Sequence, residues 1–155
     1  MKSIGIRVSP KTIYYCIATA DEDSLVLSVE SLTVPRALDI PKQLAFIRTT
    51  LQSIIAEFKV ELAGIRVYEG STQNLDRFRI NIEGVVQELL ANSTVQRYYS
   101  GTKSTLGRLL NTDVKMITAN IDGEFHLPGF SVEDWADYGK EERESILTAL
   151  GALNL

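Results

Sequence analysis

Residues 3–8 and 12–20 are rich in β-branched and aromatic side chains, and Ser9-Pro10-Lys11 divides them, which predicts a β-hairpin. The polar run Asp21-Glu22-Asp23-Ser24 then turns the chain into a third strand, Leu25-Val26-Leu27-Ser28-Val29. Beyond a connector bracketed by Pro35 and Pro41, apolar positions recur at steps of three and four. Leu44, Ile47, Leu51, Ile54, Ile55 and Phe58 share one helical face, and Asp39 and Pro41 suit its start. A fourth strand, 62–68, stops at Glu69-Gly70-Ser71. Leu75, Phe78, Ile82, Val85, Val86, Leu89 and Leu90 then draw a second amphipathic helix that ends near Asn92-Ser93.

Residues 94–99 read as a fifth strand, followed by a short helix through Leu110 that Thr102 or Ser104 can cap. From Asn111 to about residue 130 no period stands out. Asn120-Ile121-Asp122-Gly123-Glu124 reads as a turn between short extended pieces, so an irregular insertion is expected there. A helical stretch begins at Ser131, and Gly139 separates it from a last helix, Lys140 to about Leu153. This order predicts an α/β protein: a mixed five-stranded sheet with helices on both faces, made of a three-stranded antiparallel meander plus two parallel strands. Right-handed crossovers set strands one, four and five side by side, so the C-terminal ends of strands one and four adjoin. Open α/β sheets gather ligands at such a rim.

At 155 residues with 45% apolar content, one domain over 1–155 is expected. Sixteen Lys and Arg against 20 Asp and Glu give a formal charge of -4, so any attraction to nucleic acid must come from a local patch. No apolar run reaches the length of a membrane span and no signal-peptide pattern opens the chain, which implies a cytosolic protein without membrane contact. The single cysteine, Cys16, lies in an apolar strand and reads as a buried thiol. His126, the only histidine, has no ligand-spaced partner, and the string Gly101-Thr102-Lys103-Ser104-Thr105 lacks the glycines of a phosphate-binding loop. Phe130 and Trp135 read as core plugs.

The strings Ile4-Gly5-Ile6, Ala63-Gly64-Ile65-Arg66-Val67-Tyr68-Glu69 and Glu141-Glu142-Arg143-Glu144, in this order of elements, resemble the ribonuclease H-like superfamily, in its RuvC-type resolvase branch. An uncharacterised family of small bacterial proteins is similar in outline. The resemblance implies a site for two Mg²⁺ ions held by about four carboxylates: one on strand one, one near the end of strand four and two on the last helix. Two cations about 3.5–4 Å apart need anionic oxygens on several sides. Here the strand-one position is Arg7, a fixed cation that offers no lone pair to a metal. The strand-four position falls on Arg66 or Glu69, and Glu141 and Glu144 keep the spacing of the last pair. Opposite the apolar stripe of the last helix, these two acids are expected to face water. Glu69 has a second reading as an ion-pair partner of Arg7, Arg66 or Arg77.

Three functions follow as expectations. The first is a catalytically degenerate domain, with no metal and no cofactor, that binds nucleic acid or a protein partner. Arg7, Arg66, Arg77, Arg79, Arg97 and Lys103 would contact nucleic acid, with Phe78, Tyr98 and Tyr99 interleaved as aromatic platforms; an ordinary solvated surface is the competing reading of this set. The second is a Mg²⁺-dependent structure-specific endonuclease whose catalytic acids are Glu69, Glu141 and Glu144. The third is a structural or self-associating subunit, such as a homodimer.

Overall fold

The computed structural model describes residues 1–155. Strands β1 (Lys2–Val8), β2 (Thr12–Ala20) and β3 (Leu25–Thr33) form the antiparallel meander, β3 running four residues past its predicted end. Helix α1 (Ile40–Phe58) carries the chain to β4 (Leu62–Arg66), and α2 (Arg77–Ala91) carries it to β5 (Arg97–Gly101). The sheet order is β3-β2-β1-β4-β5, with β1, β4 and β5 parallel. Helices α3 (Lys103–Leu109), α4 (Val114–Ile121), α5 (Val132–Asp137) and α6 (Lys140–Leu153) complete the chain. No helix is long and apolar enough to cross a membrane.

Strand alternation divides the core into two layers. Ile4, Ile6 and Val8 of β1 and Ala63 and Ile65 of β4 meet Ile47, Leu51 and Ile55 of α1 and Ile82, Val86 and Leu89 of α2. On the other face Ser3, Gly5 and Arg7 look toward α6, and Ser3 Oγ donates to Ala149 O at 2.8 Å. Gly5 permits an unusually close approach here: a Cβ on it would lie 2.1 Å from Ala149 N and 2.2 Å from Ser145 O. Asp39 caps α1 through Lys42 N at 3.0 Å, and Asp76 caps α2 through Arg79 N at 2.9 Å.

Three expectations need correction. The stretch 111–130 is irregular only in part: 122–130 hold no helix or strand, but before them Asp113 caps the two-turn helix α4 through Met116 N at 2.7 Å, and Ile117 and Ile121 are buried. The fifth strand begins at Arg97, three residues later than expected, after backbone hydrogen bonds from Gln96 N and Arg97 N to Glu61 O. Helix α6 is buried on two sides, not one. Glu144, Ser145, Thr148, Ala149 and Ala152 turn toward the sheet, while Ile146, Leu147 and Leu150 join Leu106, Ile117 and Trp135 in the second core.

Trp135 is the plug of that second layer, 1% exposed, donating Nε1–H to Asn120 O at 2.9 Å. Phe130 meets it edge-on, with ring centroids 5.1 Å apart. Cys16 is buried against the same layer, and burial pushes its thiol up to about 12, which leaves it protonated and unreactive at neutral pH.

Candidate site at the rim of the sheet

The register Arg7↔Arg66 sets two arginines side by side at the C-terminal ends of β1 and β4. Both lie on the α6 face, where Glu144 reaches them from the first turns of the helix. Arg7 Nε donates to Glu144 Oε2 at 2.7 Å, and Arg66 Nε lies 3.5 Å from the same oxygen. Each arginine also donates Nη1–H to the carbonyl of the next residue, Val8 or Val67, which folds the side chain back along its own strand end. Glu144 is 4% exposed and Arg66 is 4% exposed, so this is a buried charge cluster. Glu144 accepts one hydrogen bond, from Arg7, and Arg66 Nε is left without a hydrogen-bond partner, so the second arginine offsets the burial of the acid by charge alone.

Glu69 follows β4 and closes the cluster from above. Its Oε1 accepts from Arg66 Nη2 at 2.5 Å and from Lys103 N at 2.9 Å. The expected cap of α3 is thereby corrected: Thr102 occupies the cap position without a side-chain hydrogen bond, and the carboxylate of Glu69 satisfies the first helical N–H instead. Of the three partners considered for Glu69, Arg66 is the one in contact.

Glu83 adds a third carboxylate from α2. Its Oε1 accepts from Tyr68 N at 2.8 Å, and its Oε2 sits 3.7 Å from Arg79 Nε. Neither Arg79 Nε nor Glu83 Oε2 has a hydrogen-bond partner. Burial raises the Glu83 carboxyl above the usual range, with the Tyr68 N–H and the charges of Arg79, Arg7 and Arg66 pulling the other way. Arg79 is lowered by its own burial and by the positive charge of Arg7. Its guanidinium lies 3.9 Å from the centre of the Tyr68 ring. Arg7, Arg66, Arg79, Lys103 and Lys140 line a cavity of about 210 Å³ with Thr72, Glu69 and Glu144.

The structure brings Arg7, Arg66, Glu69, Arg79, Lys103 and Glu144 to one place, and it differs from expectation at Glu144 and at several neighbours. Glu144 is buried, contrary to the expectation of a solvated acid, because α6 turns this side to the sheet. Glu141, one turn earlier, is half-buried and does not line the cavity. Arg77 is exposed in the first turn of α2 and takes no part in the cluster's ion pairs. Arg97 opens β5 opposite Leu62, so it stands at the other end of the strands, about 13 Å from the rim at some 3.3 Å per residue. The aromatic platforms also differ: Phe78 packs on the α1–α2 core, and Tyr99 donates its hydroxyl to Thr148 O at 2.9 Å. Tyr68 is the aromatic ring at the rim. Glu83 and Lys140 were not singled out, although Glu83 borders the apolar stripe of α2 beside Ile82 and Val86, where an acid is out of place.

The donors present do not fit a two-cation site. No three Asp, Glu, His or Cys side chains converge anywhere in the protein. At the rim, guanidinium groups already engage one oxygen each of Glu144 and Glu69, the acids a hard cation would need.

No protein-family model matches the sequence, and no curated protein matches it significantly. Solved structures do match over almost the whole chain. The structure of Thermus thermophilus RuvC superposes with a TM-score of 0.71 at 13% identity, covering 99% of this chain and 94% of that one. The chain has the ribonuclease H-like fold of the RuvC type. T. thermophilus RuvC in complex with Holliday junction substrate gives a TM-score of 0.67 at 14% identity, with the same coverage. The fowlpox virus resolvase in complex with its substrate Holliday junction DNA gives 0.52 at 13% identity, covering 97% of this chain and 95% of that one. At these identities the likeness to RuvC is one of fold, and chemistry has to be argued from this chain's own side chains.

Proposed function

We propose that this RuvC-like domain is catalytically degenerate and acts by binding polynucleotide at the rim of its sheet, with no divalent cation in the site. The observation that carries this reading is the pair Arg7–Glu144 at 2.7 Å, with Arg66 beside it, at the end of β1. A guanidinium there repels a cation and attracts a phosphate, since it is permanently charged and presents its donors in a fork that suits oxyanions. The similar folds of RuvC and the fowlpox resolvase were each solved with junction DNA, which supports nucleic acid over a protein as the ligand.

Two measurements on the same preparation test the reading. Titration calorimetry with Mg²⁺ or Mn²⁺ is expected to detect no submillimolar site. Electrophoretic retention of four-way-junction DNA is expected without cleavage, and to weaken as salt rises. Submillimolar metal binding that disappears in Glu69→Gln, or junction cleavage that requires Glu69 and Glu144, would establish the endonuclease instead. Absence of any salt-dependent retention would turn attention to a protein partner or to self-association.

A further inference from the structure

Around the rim cavity the charges do not balance. Five cationic side chains and two carboxylates form its wall, and Glu83 offsets one more positive charge from behind Arg79. The carboxylates are spent inside the cluster: Glu144 on Arg7 and Arg66, Glu69 on Arg66 and the Lys103 N–H. Arg79 Nε donates no hydrogen bond and has only Glu83 at 3.7 Å, no ion pair engages Lys103, and the exposed Lys140 has only Asp122 at 3.5 Å. Net of Glu69, Glu144 and Glu83, about two positive charges remain around a volume of about 210 Å³, on Lys103 and on Lys140, whose partner Asp122 lies outside the cavity wall. Beside it lies a cavity of about 470 Å³ that shares Val67, Tyr68, Glu69 and Thr72 with the first and adds Leu75 and Ile80.

We infer that the rim cavity takes a terminal phosphate, a phosphomonoester dianion, whose attached nucleoside lies in the adjoining larger cavity. This rests on the polynucleotide-binding reading and narrows it from the backbone at large to a chain end or a free nucleotide. Charge is the reason for preferring the monoester: it carries close to two negative charges at pH 7, whereas an internal phosphodiester carries one. Size is consistent with this, because the small cationic cavity suits a phosphate and the larger one, partly apolar, suits a base and sugar. Glu144 has a definite part in this arrangement. It is the counter-ion that keeps Arg7 and Arg66 in place, and it also lowers the field that the phosphate feels.

The test compares two fluorescent single strands of one sequence, one 5′-phosphorylated and one ending in a hydroxyl, by anisotropy at fixed salt, with adenosine 5′-monophosphate as competitor. At least a tenfold preference for the phosphorylated strand is expected, falling away below about pH 6 as the phosphate takes up its second proton. Lys103→Ala should reduce that preference several-fold, weakening the phosphorylated strand more than the hydroxyl-ended one. Glu144→Gln, checked for folding by near-UV circular dichroism, should strengthen it, the opposite of what loss of a metal ligand would do. Competition by micromolar monophosphate identifies a free nucleotide as the ligand, and competition only at millimolar levels identifies a strand end. Equal affinity for the two strands, or a preference unmoved by both Lys103→Ala and Arg79→Ala, overturns the inference and leaves polynucleotide binding standing. Retention of neither strand overturns both.

Discussion

Arg7 was legible as a departure because a strand's alternation fixes its company: Ser3, Gly5 and Arg7 share one face whatever the sheet packs against. Its partner was not legible. Glu144 meets Arg7 across 137 residues of sequence, and which side of α6 faces the sheet is decided by close packing on Gly5, not by the helix's own apolar stripe. Removing Arg7 leaves Glu144 buried with Arg66 at 3.5 Å, so Arg7→Ala is expected to cost about 3 kcal/mol in urea unfolding. Glu83 gives a pH-dependent counterpart. Its carboxyl is raised by burial, so between the ordinary value of 4.5 and the raised folded value the native state holds more protons than the unfolded chain. Stability from this group is therefore present below that window and is lost as pH rises through it. Glu83→Gln keeps an oxygen for the Tyr68 N–H and removes the titration. The wild type should accordingly lose stability relative to the variant as pH is raised from about 4 to 7, in unfolding curves measured at several pH values.

Helix α6 shows how an element can carry two packing codes at once. Its large residues, Ile146, Leu147 and Leu150, read as the buried stripe and do pack in the second core. Its small ones, Ser145, Thr148, Ala149 and Ala152, pack just as deeply because Gly5 and Gly64 open the sheet beneath them. Small residues have little hydrophobic signal, so periodicity found one face and missed the other. Gly5→Ala tests that account: the new methyl would meet backbone atoms of α6, and at least about 3 kcal/mol of destabilisation is expected in thermal melts followed by the emission of the single, buried Trp135. Gly64→Ala should cost less, since its new methyl meets the Tyr99 ring, a side chain that can shift once it gives up its bond to Thr148. The helix α4 was missed for a different reason: it is two turns long and its apolar repeat is only Val114, Ile117 and Ile121. Asp113 was the available signal, an N-cap residue just before that repeat.

At the scale of the whole molecule, element order carried the fold where residue identity with RuvC is 13%, because three strands, alternating helices and a closing helix leave few ways to cover a mixed sheet. Surface charge was harder to place from sequence, since the net value of -4 hides where the cations stand. Arg97 and Lys103 are six residues apart and were grouped together, yet β5 runs between them and puts them at opposite ends of the strands. If polynucleotide lies on the C-terminal rim, only one of the two releases counterions when it binds. The slope of log affinity against log salt should then fall by about one unit in Lys103→Ala and stay as in the wild type in Arg97→Ala. Equal losses in both variants would mean diffuse attraction over the surface, which a protein of net negative charge gives little reason to expect. A loss confined to Arg97→Ala would move the binding face to the opposite edge of the sheet, away from Arg7 and its cluster.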